Sequence, residues 1–237
     1  MPCKPLPKRA LAPLLVLALV LCLSGTGWAH RPLFPGPRAA APESAASIAD
    51  PAKSHVIYAE LTAETPHTWF ALKNDQPREV AIQIGIPEEP RKQVAEPVVV
   101  LFGPGLPEPP GELPVAPPQG AGGGALTVTP TGRPERFNEP VTGTRSRIVV
   151  DTHARLPSAG TYYGVLYDAR GEGGKAWVSI GQREGFSWRD LTRLPGWIRD
   201  VRGFHEVSGW PAWAWISAAT LLAVVSLVAG WLLRRRA

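Results

Sequence analysis

The sequence predicts an all-β fold, an antiparallel β-sandwich, followed by a juxtamembrane helix and one C-terminal transmembrane helix. Between residues 54 and 182, short alternating or β-branched runs follow one another, and turn signals rather than helical stretches separate them. Each end of the chain carries an uncharged apolar run beside basic residues. Repeated short strands indicate a sandwich, and an apolar run that ends in arginines indicates a membrane span.

Residues 1–29 have the pattern of a cleavable signal peptide. Lys4, Lys8 and Arg9 precede an apolar run of about 14 residues, and small residues follow it up to Ala29. The run is short for a bilayer, which needs about 20 apolar residues, so an uncleaved anchor is the weaker alternative. We therefore expect cleavage after Ala29.

Charge and cysteine placement exclude several function classes. Of the 25 basic residues, three lie in the first ten positions and three in the last four, so 19 remain against 20 acidic residues. The net charge of +5 therefore gives no reason to expect a nucleic-acid partner. Both cysteines, Cys3 and Cys22, lie in the predicted signal peptide, so the mature chain would have no disulfide and no thiolate site.

The middle of the chain predicts eight strands after a flexible arm. Residues 30–53 are rich in Ala and Pro without a period, which indicates the arm. The strands are expected at 55–62, 68–72, 79–86, 97–102, 126–129, 145–152, 161–168 and 175–180. Residues 103–124 contain seven prolines and seven glycines and predict a long surface loop, either a partner-binding loop or a tolerated insertion.

The segment 186–209 has an amphipathic pattern. Trp188 and Trp197 belong to an apolar series at helical spacing with arginines between its members, and Pro195-Gly196 is expected to split the helix into two pieces. Aromatic anchors and arginines before a span are typical of a helix that lies on a membrane surface. A helix packed on the β-domain fits the same pattern, and the sequence leaves both open.

Residues 210–233 predict the transmembrane helix. No charged residue occurs between 212 and 233, and tryptophans mark both ends. Basic residues after the span predict a cytoplasmic tail at 234–237, hence a single-pass plasma-membrane protein with its N-terminus periplasmic or extracellular. The expected membrane-interface residues are Trp188, Trp197, Trp210, Trp213, Trp231, Arg234, Arg235 and Arg236.

Two groups of motifs carry a resemblance to a known family. Residues 54–62 (SHVIYAELT), 69–72 (WFAL) and 79–84 (EVAIQI) resemble the opening of bacterial pre-peptidase C-terminal domains, and 156–163 (LPSAGTYY), 165–167 (VLY) and 175–180 (KAWVSI) resemble their closing hairpin. The resemblance implies a jelly-roll-like sandwich that accompanies secreted enzymes or mediates extracellular binding, without catalytic residues of its own. Tyr162 and Tyr163 are expected to supply one ring to each face of the sheet, after a turn at Gly160. The sequence departs from the family in lacking an attached peptidase.

The sequence contains one candidate metal site. Cleavage after Ala29 would leave His30 at the N-terminus, where its amine and imidazole can chelate Cu(II) together. Asp151 and His153 are two residues apart at a strand end and leave the same face. This set resembles periplasmic copper-carrier proteins; the alternative is a solvated histidine and a surface turn.

The local motifs of catalysis are missing from the sequence, which has no Gly-x-Ser-x-Gly elbow, His-Glu-x-x-His helix or phosphate-binding glycine loop. We therefore expect a non-enzymatic binding or assembly module without a cofactor, whose partners are membrane lipid and another envelope protein. A copper-handling protein is the alternative, and a membrane-anchored hydrolase comes third.

Overall fold

The computed structural model describes residues 30–88, 94, 96–109, 111–122, 124–183, 185 and 187–236, without the side chains of 188, 224, 227, 228 and 230–236. The chain divides into two compact units. One spans Ala29–Ser208 and the other includes the chain from Gly209 onward. The predicted signal peptide, residues 1–29, lies outside the described residues and stays a prediction.

The described part of the first unit is a two-sheet β-sandwich with one α-helix. Its elements are β1 (Arg31–Leu33), β2 (Ala46–Ile48), β3 (His55–Leu61), β4 (His67–Asn74), β5 (Arg78–Pro87), β6 (Pro97–Phe102), β7 (Ala125–Val128), β8 (Glu135–Glu139), β9 (Thr144–Leu156), β10 (Gly160–Asp168), β11 (Gly174–Ile180) and α1 (Trp188–Phe204). The strand orders are β1-β3-β11-β5-β9-β8 and β2-β4-β10-β6-β7. Neighbouring strands are antiparallel except for the parallel pairs β1–β3 and β2–β4.

The predicted sandwich and its eight strands are confirmed. Alternation is the cause, because side chains two apart in a strand share a face. Val80, Ile82 and Ile84 of β5 therefore all enter the core between the sheets, where they meet Leu72 and Leu101 of the second sheet. The structure adds β1, β2 and β8, which the sequence did not predict.

A second apolar cluster lies on the outer face of the five-stranded sheet. Trp69, Phe102 and Val165 belong to it. Val115 and Ala121, from the Pro/Gly-rich segment 103–124, are buried against these side chains. The described residues of that segment contain no strand or helix, as predicted, but the segment packs on the sheet as a cover.

The arm at 30–53 differs from its prediction. It was expected to be flexible, yet it contains β1, β2 and two short 3-10 helices, Gly36–Ala40 and Pro42–Ser44. β1 extends the six-stranded sheet beside β3, and β2 extends the five-stranded sheet beside β4. A three-residue strand is held by backbone hydrogen bonds and is too short to show a periodic pattern in its sequence.

Helix α1 is continuous through Pro195, in contrast to the two pieces expected. It starts at Ser187, whose backbone N–H and hydroxyl both donate to Asp190 Oδ2 at 2.7 Å, the Asp190 half of a capping box. Ile198 and Val201 are buried, and the Phe204 ring lies 4.9 Å from that of Tyr58 on β3. Of the two alternatives that the sequence left open, the structure shows the helix packed on the β-domain.

The second unit contains α2 (Ala212–Arg236). A helix that crosses the hydrocarbon core of a bilayer, which is about 30 Å thick, needs about 20 consecutive apolar residues. Within the described chain, no helix is long and apolar enough to cross a membrane. This finding contradicts the predicted transmembrane helix at 210–233 and the single-pass plasma-membrane location that depended on it.

Candidate functional site

The structure does not bring the predicted copper ligands together. His30 precedes β1, and its Nδ1 pairs with the Ser54 hydroxyl. Asp151 and His153 are exposed on β9, where Asp151 accepts a 3.1 Å hydrogen bond from Gln83 Nε2. In the six-stranded sheet, strands β3, β11 and β5 lie between β1 and β9.

The described residues form no other candidate metal site in place of the predicted copper site. Across the described residues, no group of three or more His, Cys, Asp or Glu side chains is arranged to hold a metal ion. The copper site therefore stays a prediction without structural support.

The predicted membrane-interface residues fall into two groups. Trp197 is half-buried on α1, and Trp210 and Trp213 are 46% and 42% exposed in the second unit. The side chains of Trp188, Trp231 and Arg234 to Arg236 lie outside the described set. Their place at a membrane interface stays a prediction.

A polar cleft of about 660 Å³ opens at one end of the sandwich, and we call it the end cleft. It lies where β4 ends and β10 begins, since Asn74 pairs with Gly160 in the ladder between those strands. The lining comprises residues 49–51, 73–76, 78, 160–161 and 183. These residues come from the arm, three strands (β4, β5 and β10), the β4–β5 turn and the segment after β11, so the end cleft is assembled from distant parts of the chain.

Asn74 holds the floor of the end cleft. Its side chain is buried, and Nδ2 donates to the carbonyls of Gln76 and Ser158, each at 2.7 Å. These bonds tie the β4–β5 turn to the β9–β10 turn and fix the orientation of the amide. Among the described residues, Asn74 Oδ1 has no hydrogen-bond partner although it is buried.

Arg78, the first residue of β5, lies beside this amide. Its guanidinium pairs with Asp75 in the turn and, at 3.6 Å, with Asp50 of the arm. Its Nε is buried and likewise has no partner among the described residues. Asn74 Oδ1 and Arg78 Nε are therefore two buried polar atoms beneath the surface of the end cleft.

Asp50 is the centre of the ion pairs in the end cleft. It accepts hydrogen bonds from Arg183 at 2.6 Å and from the Ala52 backbone N–H at 3.1 Å, and Lys53 Nζ lies 3.5 Å away. Burial alone would raise the pKa of Asp50, but the Ala52 hydrogen bond and the positive charges of Arg183 and Lys53 outweigh it, so the pKa is lowered. The carboxylate stays ionised at neutral pH.

The side chains that line the end cleft have a net charge of +1. Lys73, Arg78 and Arg183 line it together with the carboxylates of Asp50 and Asp75. Both carboxylates are paired with arginines, whereas Lys73 is exposed. The surface offered to a ligand is therefore cationic.

A second cavity, under the end of α1, is much smaller. His30, Tyr58, Glu139, Trp177 and His205 line a space of about 30 Å³, which is about the volume of one water molecule in the liquid. Burial, with a contribution from the charge of Glu139, raises the pKa of Tyr58. The cavity is too small for an organic ligand, so it does not compete with the end cleft as a binding site.

Sequence reasoning missed the end cleft. The pair Asn74-Asp75 is a turn signal in the sequence and nothing more, and neither Asp50 nor Arg183 belongs to a local motif. Asp50 lies 133 positions before Arg183, and only the sandwich brings the two together. A short window of sequence therefore cannot indicate that contact.

The fold and the end cleft define a β-sandwich with a polar pocket at one end. No protein-family model matches the sequence, and no curated protein matches it. Among solved structures, the chain is similar to the pre-peptidase C-terminal domain of collagenase from Bacillus anthracis, determined at 1.0 Å, with 12% identity and a TM-score of 0.32. The match covers 57% of this chain and 93% of that one. The sandwich is thus similar to a pre-peptidase C-terminal domain, as the motifs predicted, and at this TM-score nothing about function follows.

Proposed function

We propose that this chain is a non-enzymatic binding module and that the end cleft is its ligand site. The observation that carries the proposal is the end cleft itself, a polar space of about 660 Å³ that the arm, three strands, the β4–β5 turn and the segment after β11 enclose together. Its lining presents the exposed cation of Lys73 and the guanidinium of Arg183, whose side chain is 62% exposed.

The chemistry of the lining favours binding over catalysis. None of the described lining residues is a histidine, cysteine or serine, and the two carboxylates are occupied by arginines. A carboxylate whose pKa is lowered, as in Asp50, is a poor general base near neutral pH. The volume, by contrast, lies within the range of about 300–1,000 Å³ that is common for ligand pockets.

A partner protein is the ligand that we propose, as the sequence indicated for a binding or assembly module. The test is capture of partners from extracts of the source cells with the tagged full-length protein as bait. The double variant Lys73→Ala/Arg183→Ala removes two cations of the end cleft. Arg136→Ala/Arg170→Ala is the matched control, because these arginines are 88% and 62% exposed and lie elsewhere.

The expected result is a protein retained by wild type and control but lost from the Lys73/Arg183 variant. Once purified, that protein is expected to bind wild type with one-to-one stoichiometry in calorimetry, and at least about tenfold more weakly to the variant, which is about 1.4 kcal/mol. Capture of the same proteins by all three baits would contradict the proposal.

A further inference from the structure

We infer that the outer face of the five-stranded sheet is a docking surface for a proline-rich apolar segment of a partner, and that the chain's own cover, residues 103–124, occupies this surface in the free protein. Trp69, Phe102, Val165 and, from the cover, Val115 belong to the apolar cluster on this face. None of these four residues lines the end cleft. The docking surface is therefore separate from the proposed ligand site.

The face beneath the cover is aromatic. The rings of Trp69 and Phe102 are stacked with their centroids 6.1 Å apart, and both side chains are buried. Tyr163 and Tyr167 of β10 pack against the same cluster and are half-buried. Part of the aromatic surface is therefore open to solvent beside the cover.

The cover contains the kind of segment that aromatic surfaces bind. Residues 113–118 read LPVAPP, in which Pro114 and Pro117 have the P-x-x-P spacing. Each proline fixes its own φ and restricts the residue before it to extended conformations, so little order has to be gained on binding. Aromatic-lined grooves recognise P-x-x-P segments for this reason. Val115, between the two prolines, is buried in the cluster, and Leu113 packs against it.

The cover is fastened to the sandwich at its two ends. The Gly103 N–H donates to the Gly124 carbonyl at 3.3 Å, and the Ala125 N–H donates to the Pro107 carbonyl at 2.8 Å. These bonds hold the base of the cover whether or not its middle lies on the sheet.

The middle of the cover has few contacts that hold it down. Between positions 108 and 120, Val115 is the only buried residue among those that the structure describes. The described residues of this range exchange no backbone hydrogen bond with the sheet. Ordering the range costs conformational entropy that a single buried valine offsets only in part. The middle of the cover therefore opens at a smaller cost in free energy than the sandwich unfolds.

The cover consequently competes with a partner for the aromatic face. A proline-rich segment of another protein reaches Trp69 and Phe102 only in molecules whose cover is open. Its apparent affinity is therefore reduced in proportion to the open fraction. A change that removes Val115 from the cluster is expected to raise that fraction.

The test titrates ¹⁵N-labelled full-length protein with acetyl-GELPVAPP-amide, which has the sequence of residues 111–118. The same peptide with aspartate in place of its valine is the control ligand. Wild type is compared with Val115→Asp, which opens the cover, and with Ala116→Asp, the matched control at an exposed position beside it. Backbone amide shifts of Trp69 and Val165 report binding at the aromatic face.

Val115→Asp is expected to bind the valine peptide at least tenfold more tightly than wild type or Ala116→Asp. The reason is that an open fraction below about one tenth weakens the apparent affinity of the closed proteins by more than tenfold. The aspartate peptide is expected to leave the Trp69 and Val165 amides unshifted in all three proteins.

Equal affinity of the three proteins for the valine peptide would overturn the inference, and so would the absence of binding to Val115→Asp. Equal shifts with the two peptides would show that the face does not select an apolar side chain between prolines. If Val115→Asp loses the amide spectrum of the folded six-stranded sheet, the segment is part of the core rather than a displaceable cover, and the inference is wrong.

Discussion

The side chain of Tyr162 connects the core of the sandwich with the Pro/Gly-rich segment that covers it. Its ring is completely buried between the sheets, and its hydroxyl lies 2.7 Å from the Pro104 carbonyl. The same hydroxyl accepts a 3.1 Å hydrogen bond from the Ser158 backbone N–H. Gly103 makes room for the ring, because a Cβ at that position would lie 2.0 Å from it. One tyrosine therefore fixes both the β9–β10 turn and the start of the covering segment.

Removing that hydroxyl is expected to destabilise the protein measurably. Tyr162→Phe leaves the ring in place but deprives the half-buried Pro104 carbonyl and Ser158 N–H of their partner, which costs about 0.5–1.5 kcal/mol. Urea unfolding followed by tryptophan fluorescence measures the difference. Tyr163→Phe is the matched control, since that ring lies half-buried on the outer face, and the change is expected to stay within about 0.5 kcal/mol. Equal losses in both variants would contradict this role for the hydroxyl.

Strand β5 shows how tightly the outer face of the six-stranded sheet is packed. The indole of Trp177, on the neighbouring β11, lies directly over Gly85, and its Nε1 donates to the Ser146 hydroxyl at 3.0 Å. A Cβ on Gly85 would come within 2.0 Å of the indole. The packing of the Trp177 indole on β5 therefore requires glycine at position 85.

Gly85→Ala is expected to lower the free energy of unfolding by about 1–3 kcal/mol, because the buried, hydrogen-bonded indole must shift. Chemical denaturation gives the stability, and near-ultraviolet circular dichroism reports the environment of the indole. Gly111→Ala is the control, since a Cβ there meets nothing within 4 Å. An unchanged midpoint for the Gly85 variant would show that Trp177 has room to move.

The elements that the sequence predicted are those with a repeating pattern. Alternation along β5 or β9 marks a face, and the eight strands that the sequence predicts are β3 to β7 and β9 to β11. β1 and β2 have three residues each, too few for any period, and β8 is a polar edge strand. The end cleft escaped prediction for a different reason, since its residues come from separate segments that only the order of the strands brings together.

At the scale of the whole molecule, charged contacts hold the arm to the segment after β11 and to α1. Asp50 binds Arg183 at one point, and Arg31 binds Asp190 of α1 at 2.8 Å at another. The Ser187 hydrogen bond, with help from Arg31, lowers the pKa of Asp190 despite the opposing effect of burial. The pKa of Asp50 is lowered as well. Both carboxylates are therefore ionised more readily in the folded chain than in the unfolded one.

This difference predicts that stability depends on pH in the acid range. A carboxyl group with a lowered pKa contributes stability that is complete above the unfolded value, 3.8, and is lost as the pH falls through the folded value. The free energy of unfolding is therefore expected to fall as the pH drops below about 4. Asp50→Asn is expected to be less stable than wild type at pH 6 and to show a shallower fall. Parallel curves for the two proteins in urea unfolding from pH 6 to pH 2.5 would contradict the role of Asp50.

The arm also determines where a shortened version of the folded unit can begin. A chain that began at Ser54, the boundary that sequence patterns alone suggest, would lack β1 and β2 and leave the backbone groups of β3 and β4 unpaired at two sheet borders. Such open borders readily pair with other chains and promote aggregation. Shortened versions of the protein should therefore keep the residues from His30 onward, since the first two strands shield the sandwich from self-association.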